Sequence, residues 1–411
     1  MSDTRRIALI AIDEIIDWVL QQGIYGTHFE PLLVEMCERL VNAGVPLSRV
    51  NFSMRTLHPE IGAFAYRWKR SSGILRENYD RHTIYSVTAD TGWHNSPLKA
   101  LMESDGFELR HRLTPEHRPF PFPMFDELVG QGATDYFATQ VVFEPGVTSQ
   151  TGDTPPSSGM MISWSSDAPE GFSDADLDAI RRLMPAVALA LKSNGMAQMA
   201  DDLLAAYLGE DAARRVMSGS IARGSLDKIQ TVILYFDLQG FTKLSEALEP
   251  EVLIEMLNAY FGAVVEIVHA HAGNVLKFMG DGLLAMFSEL GDGKSRLAAI
   301  DAVTRIRDEV ARLNAERQAD DLPVTGFNAA LHAGEVLYGN IGAPSRLDFT
   351  VIGPAVNAAS RILGMCTALD QQILISDIVA RPSLKDRPAL VSVGQYRLRG
   401  VRDRQELYTL D

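Results

Sequence analysis

The stretch Ile229–Phe236 is mostly apolar, and a run of that kind reads as a β-strand buried on both faces at the centre of a sheet. The downstream segments supply its cover. Val252–His271 carries Leu253, Met256, Leu257, Tyr260, Phe261, Val264, Ile267 and Val268 on one apolar side of a helix. Val275–Met279 and Leu283–Phe287 form a strand hairpin around a turn at Gly280–Asp281. A helix at Lys294–Gln318, strands at Phe327–His332 and Val336–Ile341, a helix at Pro354–Cys366 and a last pair of strands complete an α+β sandwich.

The chain upstream is also mixed α and β. Ile7–Gln22 and His28–Ala43 have helical spacing, and Asn51–Leu57 and Ala63–Trp68 alternate like strands around a turn at His58–Gly62. Ser96–Ser104 and Phe125–Gln131 read as helices, and Phe107–Leu113, Tyr136–Phe143 and Gly159–Ser165 as strands. Pro145–Ser158, rich in Gly, Pro, Ser and Thr, reads as a long hairpin loop. This order resembles the layout of GAF-type sensor domains, although no motif accompanies it. Phe172–Leu191 closes the region as a helix, with Ser173 and Asp176 at capping-box spacing and Pro185 placed to kink it. A second helix at Met196–Met217 ends at the glycines of Ser218–Gly224. The parse is therefore a sensor at 1–171, a helical connector at 172–224 and a second domain at 225–411. The apolar stripes of the connector would lie exposed on a lone helix, so pairing with a copy in a dimer is expected.

With 46% hydrophobic and 22% charged residues, the composition is that of an ordinary globular chain. The net charge of −15 argues against a nucleic-acid surface and repels polyphosphates, which would need local cations and metal at their site. No apolar run of spanning length stands out, so no membrane insertion is expected. Cys37 and Cys366 lie far apart, which fits no disulfide framework and leads us to expect a cytoplasmic protein. His58, His94, Cys37 and Trp93 could contact a prosthetic group, but they have no ligand spacing, and the sensor ligand or protein partner is left open.

Three segments carry chemistry. In Phe236-Asp237-Leu238-Gln239-Gly240-Phe241-Thr242 a carboxylate leaves the buried strand and a glycine turn enters a helix. Such an Asp serves equally as a helix cap or as a Mg²⁺ ligand, and backbone N–H groups of the turn can bind phosphate. In Lys277-Phe278-Met279-Gly280-Asp281-Gly282 a tight turn carries a second carboxylate, which beside the first could complete a two-metal site. In Leu347-Asp348-Phe349-Thr350-Val351-Ile352-Gly353-Pro354-Ala355-Val356-Asn357-Ala358-Ala359-Ser360-Arg361, Pro354 is suited to start a helix. Asn357 and Arg361 then share a helical face and suit a ribose oxygen and a phosphate. Gly293-Lys294-Ser295 lacks the first glycine of a phosphate-binding P-loop, because Ser288 stands there.

In this order and spacing, together with Leu331-His332-Ala333-Gly334-Glu335-Val336 and Gly339-Asn340-Ile341-Gly342, the segments resemble the class III nucleotidyl cyclase catalytic domain over about Ser225–Asp411. The resemblance implies a ferredoxin-like α+β sandwich and cyclisation of a nucleoside triphosphate. It implies that Asp237 and Asp281 bind two Mg²⁺ or Mn²⁺ ions per site. Leu238, Gly240, Phe241 and Thr242 would hold the β- and γ-phosphates, Asn357 the ribose, and Arg361 the α-phosphate. A cation near the end of the domain would bind phosphate, and Arg399 and Arg402 are its candidates. The departures are Pro354, Ala358 and Gln239, none of which removes a required group.

Base choice rests on donors and acceptors. Lys277 only donates, so it suits adenine N1 and is mismatched with the N1–H of guanine, and Thr350 can accept from the adenine N6 amino group. The pair resembles bacterial adenylyl cyclases and makes ATP the expected substrate and cyclic AMP the product. The alternatives are a guanylate cyclase and a weakly catalytic nucleotide-binding signalling protein. In the family's arrangement the metal aspartates come from one domain and Lys277, Thr350, Asn357 and Arg361 from another, so a homodimer with sites at its interface is implied.

Overall fold

The computed structural model of the chain describes residues 3–55, 61–80, 93–104, 106–143, 159–220, 222, 224–288, 293–385, 387, 389–401 and 403–411. It divides into two compact units, Met1–Leu203 and Leu204–Asp411.

In the first unit α1 (Asp3–Tyr25) and α2 (Phe29–Asn42) precede strands β1 (Leu47–Arg55), β2 (Ile61–Lys69) and β3 (Gly73–Asp80). Then come α3 (Pro97–Glu103), β4 (Glu108–Arg112), α4 (Pro123–Gly130), β5 (Asp135–Val142) and β6 (Gly159–Ser166). The strands form one sheet in the order β3-β2-β1-β6-β5-β4, and every described pairing in it is antiparallel. One face, through Val50, Phe52, Ile162 and Trp164, packs on Ile12, Val19, Leu33, Leu40, Leu183 and Leu191 of the helices. On the other face Leu98, Leu101, Phe125 and Leu128 of α3 and α4 cover Tyr136 and Ala138. β3 is an addition to the strands expected from the sequence. The turns expected at His58–Gly62 and Pro145–Ser158 fall almost wholly outside the described residues.

The closing helix α5 runs from Asp174 to Leu208. Its start is the expected capping box: Ser173 N–H donates to Asp176 Oδ2 at 2.8 Å, and Asp176 N–H donates to Ser173 Oγ at 3.2 Å. Two expectations need correction. The helix does not stop near Gly195, where a Cβ would lie 2.9 Å from the Met54 methyl. That glycine admits a neighbour and does not break the helix. The break comes at Gly209, with φ +83° and room for no Cβ beside the Val275 carbonyl, and α6 (Glu210–Met217) comes next.

In the second unit β7 (Leu226–Leu238), α7 (Phe241–Ala247), α8 (Pro250–Ala270), β8 (Asn274–Met279), β9 (Gly282–Ser288), α9 (Lys294–Ala319) and β10 (Phe327–Ala343) succeed one another. They lead to β11 (Arg346–Ile352), α10 (Pro354–Leu363), α11 (Cys366–Leu369), β12 (Ile373–Ser376), α12 (Asp377–Ser383), β13 (Leu390–Tyr396) and β14 (Gln405–Leu410). The sheet order is β13-β14-β12-β10-β7-β9-β8, with β11 on β10. The β10-β7-β9-β8 portion is the 4-1-3-2 order of a ferredoxin-like βαββαβ unit. β7 is central, as its apolar run required. Val232, Leu234 and Phe236 face α8 and α9, and Ile233 faces Val356 and Ala359 of α10.

The two strands expected at Phe327–His332 and Val336–Ile341 are one strand of 17 residues. Gly334 does not turn the chain, since a Cβ there would lie 2.8 Å from that of Ala355, so the glycine seats α10 on the sheet. The expected absence of a spanning-length apolar segment is also corrected. By length and composition α8 could cross a membrane. Here it lays Met256, Tyr260, Val264 and Val268 into the core of the unit.

Candidate active site

The sheet centre delivers the first carboxylate. Asp237 sits one residue before the end of β7 and faces Gly282 across the ladder with β9. A Cβ at Gly282 would lie 2.7 Å from the Phe236 carbonyl oxygen and 2.9 Å from Asp237 Oδ1. The glycine thus lets the β8–β9 turn, which carries Asp281, close over Asp237. Leu238 N–H donates to the Asp281 carbonyl at 3.0 Å and fixes that approach. Asp237 is half-buried, and burial first and the Asp281 charge second push its carboxyl above the usual carboxylate range. Among the described residues neither carboxylate has an ion-pair partner.

That combination suits a divalent cation. No group of three or more His, Cys, Asp or Glu side chains among the described residues could hold a metal. Two carboxylates are enough for Mg²⁺, which keeps several waters and takes the rest of its oxygens from phosphate. Beside them Gly240 adopts φ +67°, and the N–H groups of Lys243 and Leu244 return to its carbonyl at 3.0 and 3.2 Å as α7 begins. The first N–H groups of a helix have no intrahelical acceptor, so Gly240, Phe241 and Thr242 remain phosphate candidates. Leu238 does not: its N–H is spent on Asp281 and its side chain is in the core.

A second cluster lies between β8 and β11. Lys277 Nζ pairs with Asp348 Oδ2 at 2.9 Å. Asp348 lies in the third sequence segment without an assigned role, and its i, i+2 spacing places it on the strand face that carries Thr350. Thr350 is 6% exposed and its Oγ1 has no hydrogen-bond partner. A buried hydroxyl without a partner is costly, which points to an acceptor or donor site for a ligand.

A third cluster is on α10. Asn357 is exposed and Arg361, one turn on, is half-buried. A Cβ at Gly400 would lie 3.3 Å from both terminal nitrogens of Arg361, so the turn bearing Arg399 rests beside that guanidinium. Arg402 lies outside the described residues. Among the described residues no hydrogen bond or ion pair joins Asp237 or Asp281 to Lys277, Asn357 or Arg361.

The four residues considered for a prosthetic group are not brought together. Cys37 is buried in the α1/α2 layer, and burial pushes its thiol far up. Trp93 packs on the opposite face of that sheet, His94 Nδ1 lies 3.3 Å from Lys99 Nζ, and His58 is outside the described residues.

Residues 225–411 match the adenylate and guanylate cyclase catalytic domain family. The chain is similar to adenylate cyclase 1 of Rhizobium meliloti, 27% identical over 220 residues that cover 52% of this chain and 33% of that protein. It is also similar to an adenylate cyclase of Anabaena cylindrica, 33% identical over 166 residues, 39% of this chain and 32% of that protein. The matches thus span about a third of the length of these curated relatives. Among solved structures, the adenylyl cyclase CyaB from P. aeruginosa is 27% identical, covering 46% of this chain and 96% of that one at a TM-score of 0.41. The guanylyl cyclase Cya2 is 30% identical, covering 45% and 93% at 0.41.

Proposed function

We propose, on the premise that residues 225–411 belong to the class III adenylate and guanylate cyclase catalytic domains, that the chain converts ATP into cyclic AMP and pyrophosphate. The observation that carries the choice of ATP is Lys277, a donor, on the strand next to the buried and unpartnered Thr350 Oγ1. Adenine offers N1 as acceptor and N6 as donor to this pair, whereas guanine would set its N1–H against the ammonium. One mismatched buried group costs about 1–3 kcal/mol, so selectivity of about ten- to a hundredfold is expected.

The family is generally dependent on divalent metal. Asp237 and Asp281 would hold two Mg²⁺ or Mn²⁺ ions, whose charge would favour ionisation of the ribose 3′-hydroxyl and departure of pyrophosphate. The 3′-oxygen bonds to the α-phosphorus, the bond to the β-phosphate oxygen breaks, and the hydroxyl proton passes to solvent. Asn357 orients the ribose. Arg361 stabilises the charge that grows on the α-phosphate, and Arg399 with the N–H groups of Gly240–Thr242 steadies the other phosphates. Asn357 and Arg361 make no hydrogen bond or ion pair with either carboxylate among the described residues, which fits a homodimer in which each subunit supplies one half of each site. The N-terminal unit acts as the sensor that sets the activity.

The test is product analysis with ATP and with GTP, each with Mg²⁺ or Mn²⁺. Cyclic AMP and pyrophosphate in equal amounts, with the higher kcat/KM on ATP, are expected. A preference for GTP, or nucleotide binding without turnover, would contradict this reading.

A further inference from the structure

The first unit has a cavity of about 370 Å³ lined by Arg49, Lys69, Arg70, Ser165, Gln131 and Asp167, among others. It lies on the sheet face opposite the α1/α2 layer, next to the end of α4. In β1 the residues Val50 and Phe52 point into the helical core, so Arg49, Asn51 and Ser53 point the other way. The register sets Arg49 directly across from Ser165 of β6 and Lys69 of β2, and Ser165 across from Tyr136 of β5. Four strands therefore contribute to one polar patch.

Its hydrogen-bonding groups are left open. Arg49 Nη1, Ser53 Oγ and Ser165 Oγ are buried without a partner, and Ser165 is only 1% exposed. The Tyr136 phenol is fully buried nearby, and burial pushes it up to about 12, so it stays a neutral donor. The charges do not cancel. Asp167 is taken by Arg70, and Glu77 is taken by Arg67 at 3.0 and 2.9 Å. Arg49 and Lys69 remain, in a chain whose net charge is −15. Burial first and the neighbouring Arg67 second pull the Arg49 guanidinium down to about 10, with Tyr136, Glu77 and Tyr79 as its other charged or titratable neighbours. A cation kept in such a place is costly unless something pairs with it.

We propose that this cavity is the sensor site of the N-terminal unit and that it binds a small molecule through a carboxylate or phosphate group seated on Arg49 and Ser165. The guanidinium gives the planar donor edge that both anions fit, and the Ser165 hydroxyl and the Lys69 ammonium, which also line the cavity, complete the shell. The volume admits a metabolite-sized ligand and is far too small for a protein segment of any length.

The full-length chain is tested by thermal unfolding at constant ionic strength in chloride, inorganic phosphate, acetate and citrate, without nucleotide. Phosphate, or at least one carboxylate, should raise Tm saturably at concentrations up to about 20 mM. The phosphate and carboxylate arms tell the two anion classes apart. Arg49→Gln should abolish that response, yet in chloride it should unfold a few degrees higher than the parent, since a desolvated cation is gone. Ser165→Ala, a mild change, should weaken the response about three- to tenfold. A flat response to all three probes, or a response unchanged in Arg49→Gln or in Ser165→Ala, would overturn the proposal. So would a lower Tm of Arg49→Gln in chloride. The cyclase reading could fail without affecting any of these readouts.

Discussion

Asp237 in the C-terminal unit and Arg49 in the N-terminal unit are opposite in sign and alike in predicament. Each is partly removed from water, each has a like charge beside it, and each is displaced in the direction that disfavours its ionised form. Stability alone would favour a neutral side chain at either place. The two differ in how the pair is assembled. Asp237 and Asp281 meet because a strand end and a hairpin turn abut through Gly282, with both carboxylates on short glycine-marked segments. Arg49, Lys69, Ser165 and Tyr136 come from four strands and meet only through sheet register. On the two proposals above, an uncompensated charge is a receptor for its opposite, with or without a motif beside it.

Removing a carboxylate should break the parallel most severely. Asp281→Asn is expected to lower cyclase kcat/KM by about 10³-fold or more. The same change should raise the Tm of the metal-free protein by relieving the repulsion with Asp237, and leave the response to anions untouched. Arg361→Ala comes next, with a loss of about 10²- to 10³-fold that falls on kcat more than on KM, measured with ATP at saturation. The double change Lys277→Glu with Thr350→Cys should shift the ATP:GTP ratio of kcat/KM toward GTP by about ten- to a hundredfold. An active double variant with an unshifted ratio would rule out the base pocket. The smallest effect is expected at Tyr338, whose hydroxyl donates to Asp211 Oδ2 at 2.8 Å and whose ring lies under Arg215. Tyr338→Phe should cost about 1 kcal/mol in denaturant unfolding, because Asp211 keeps its bond to Arg215 at 3.0 Å.

Much of the catalytic unit is legible in the sequence because its chemistry sits on local signatures. The apolar run of β7, the Gly-Asp-Gly turn and the Pro354 helix start each fix a backbone shape within a few residues. Two of the errors share one cause. Gly195 and Gly334 read as breaks, yet each lies inside a regular element where a neighbour presses close. A glycine that serves a turn and one that admits Met54 or Ala355 look the same in a sequence. Asp348 stands inside the third segment, but nothing local couples it to its partner, Lys277, 71 positions away. The spanning length of α8 is masked by Glu255, Asn258 and Glu266, which interrupt its apolar run off the buried face. The patch around Arg49 is invisible for a related reason: one arginine, one lysine and one serine on separate strands carry no spacing to recognise.

In the proposed dimer each chain carries two half-sites that become whole only between chains. The most direct test mixes subunits bearing Asp281→Ala with subunits bearing Asn357→Ala, under conditions where exchange is verified. Each variant alone should be nearly inactive. In a mixed dimer one site collects both defects and the other collects none. With random assortment half the dimers are mixed, so activity should return to roughly a quarter of the parent. A mixture that exchanges subunits and stays as inactive as its components would contradict the account.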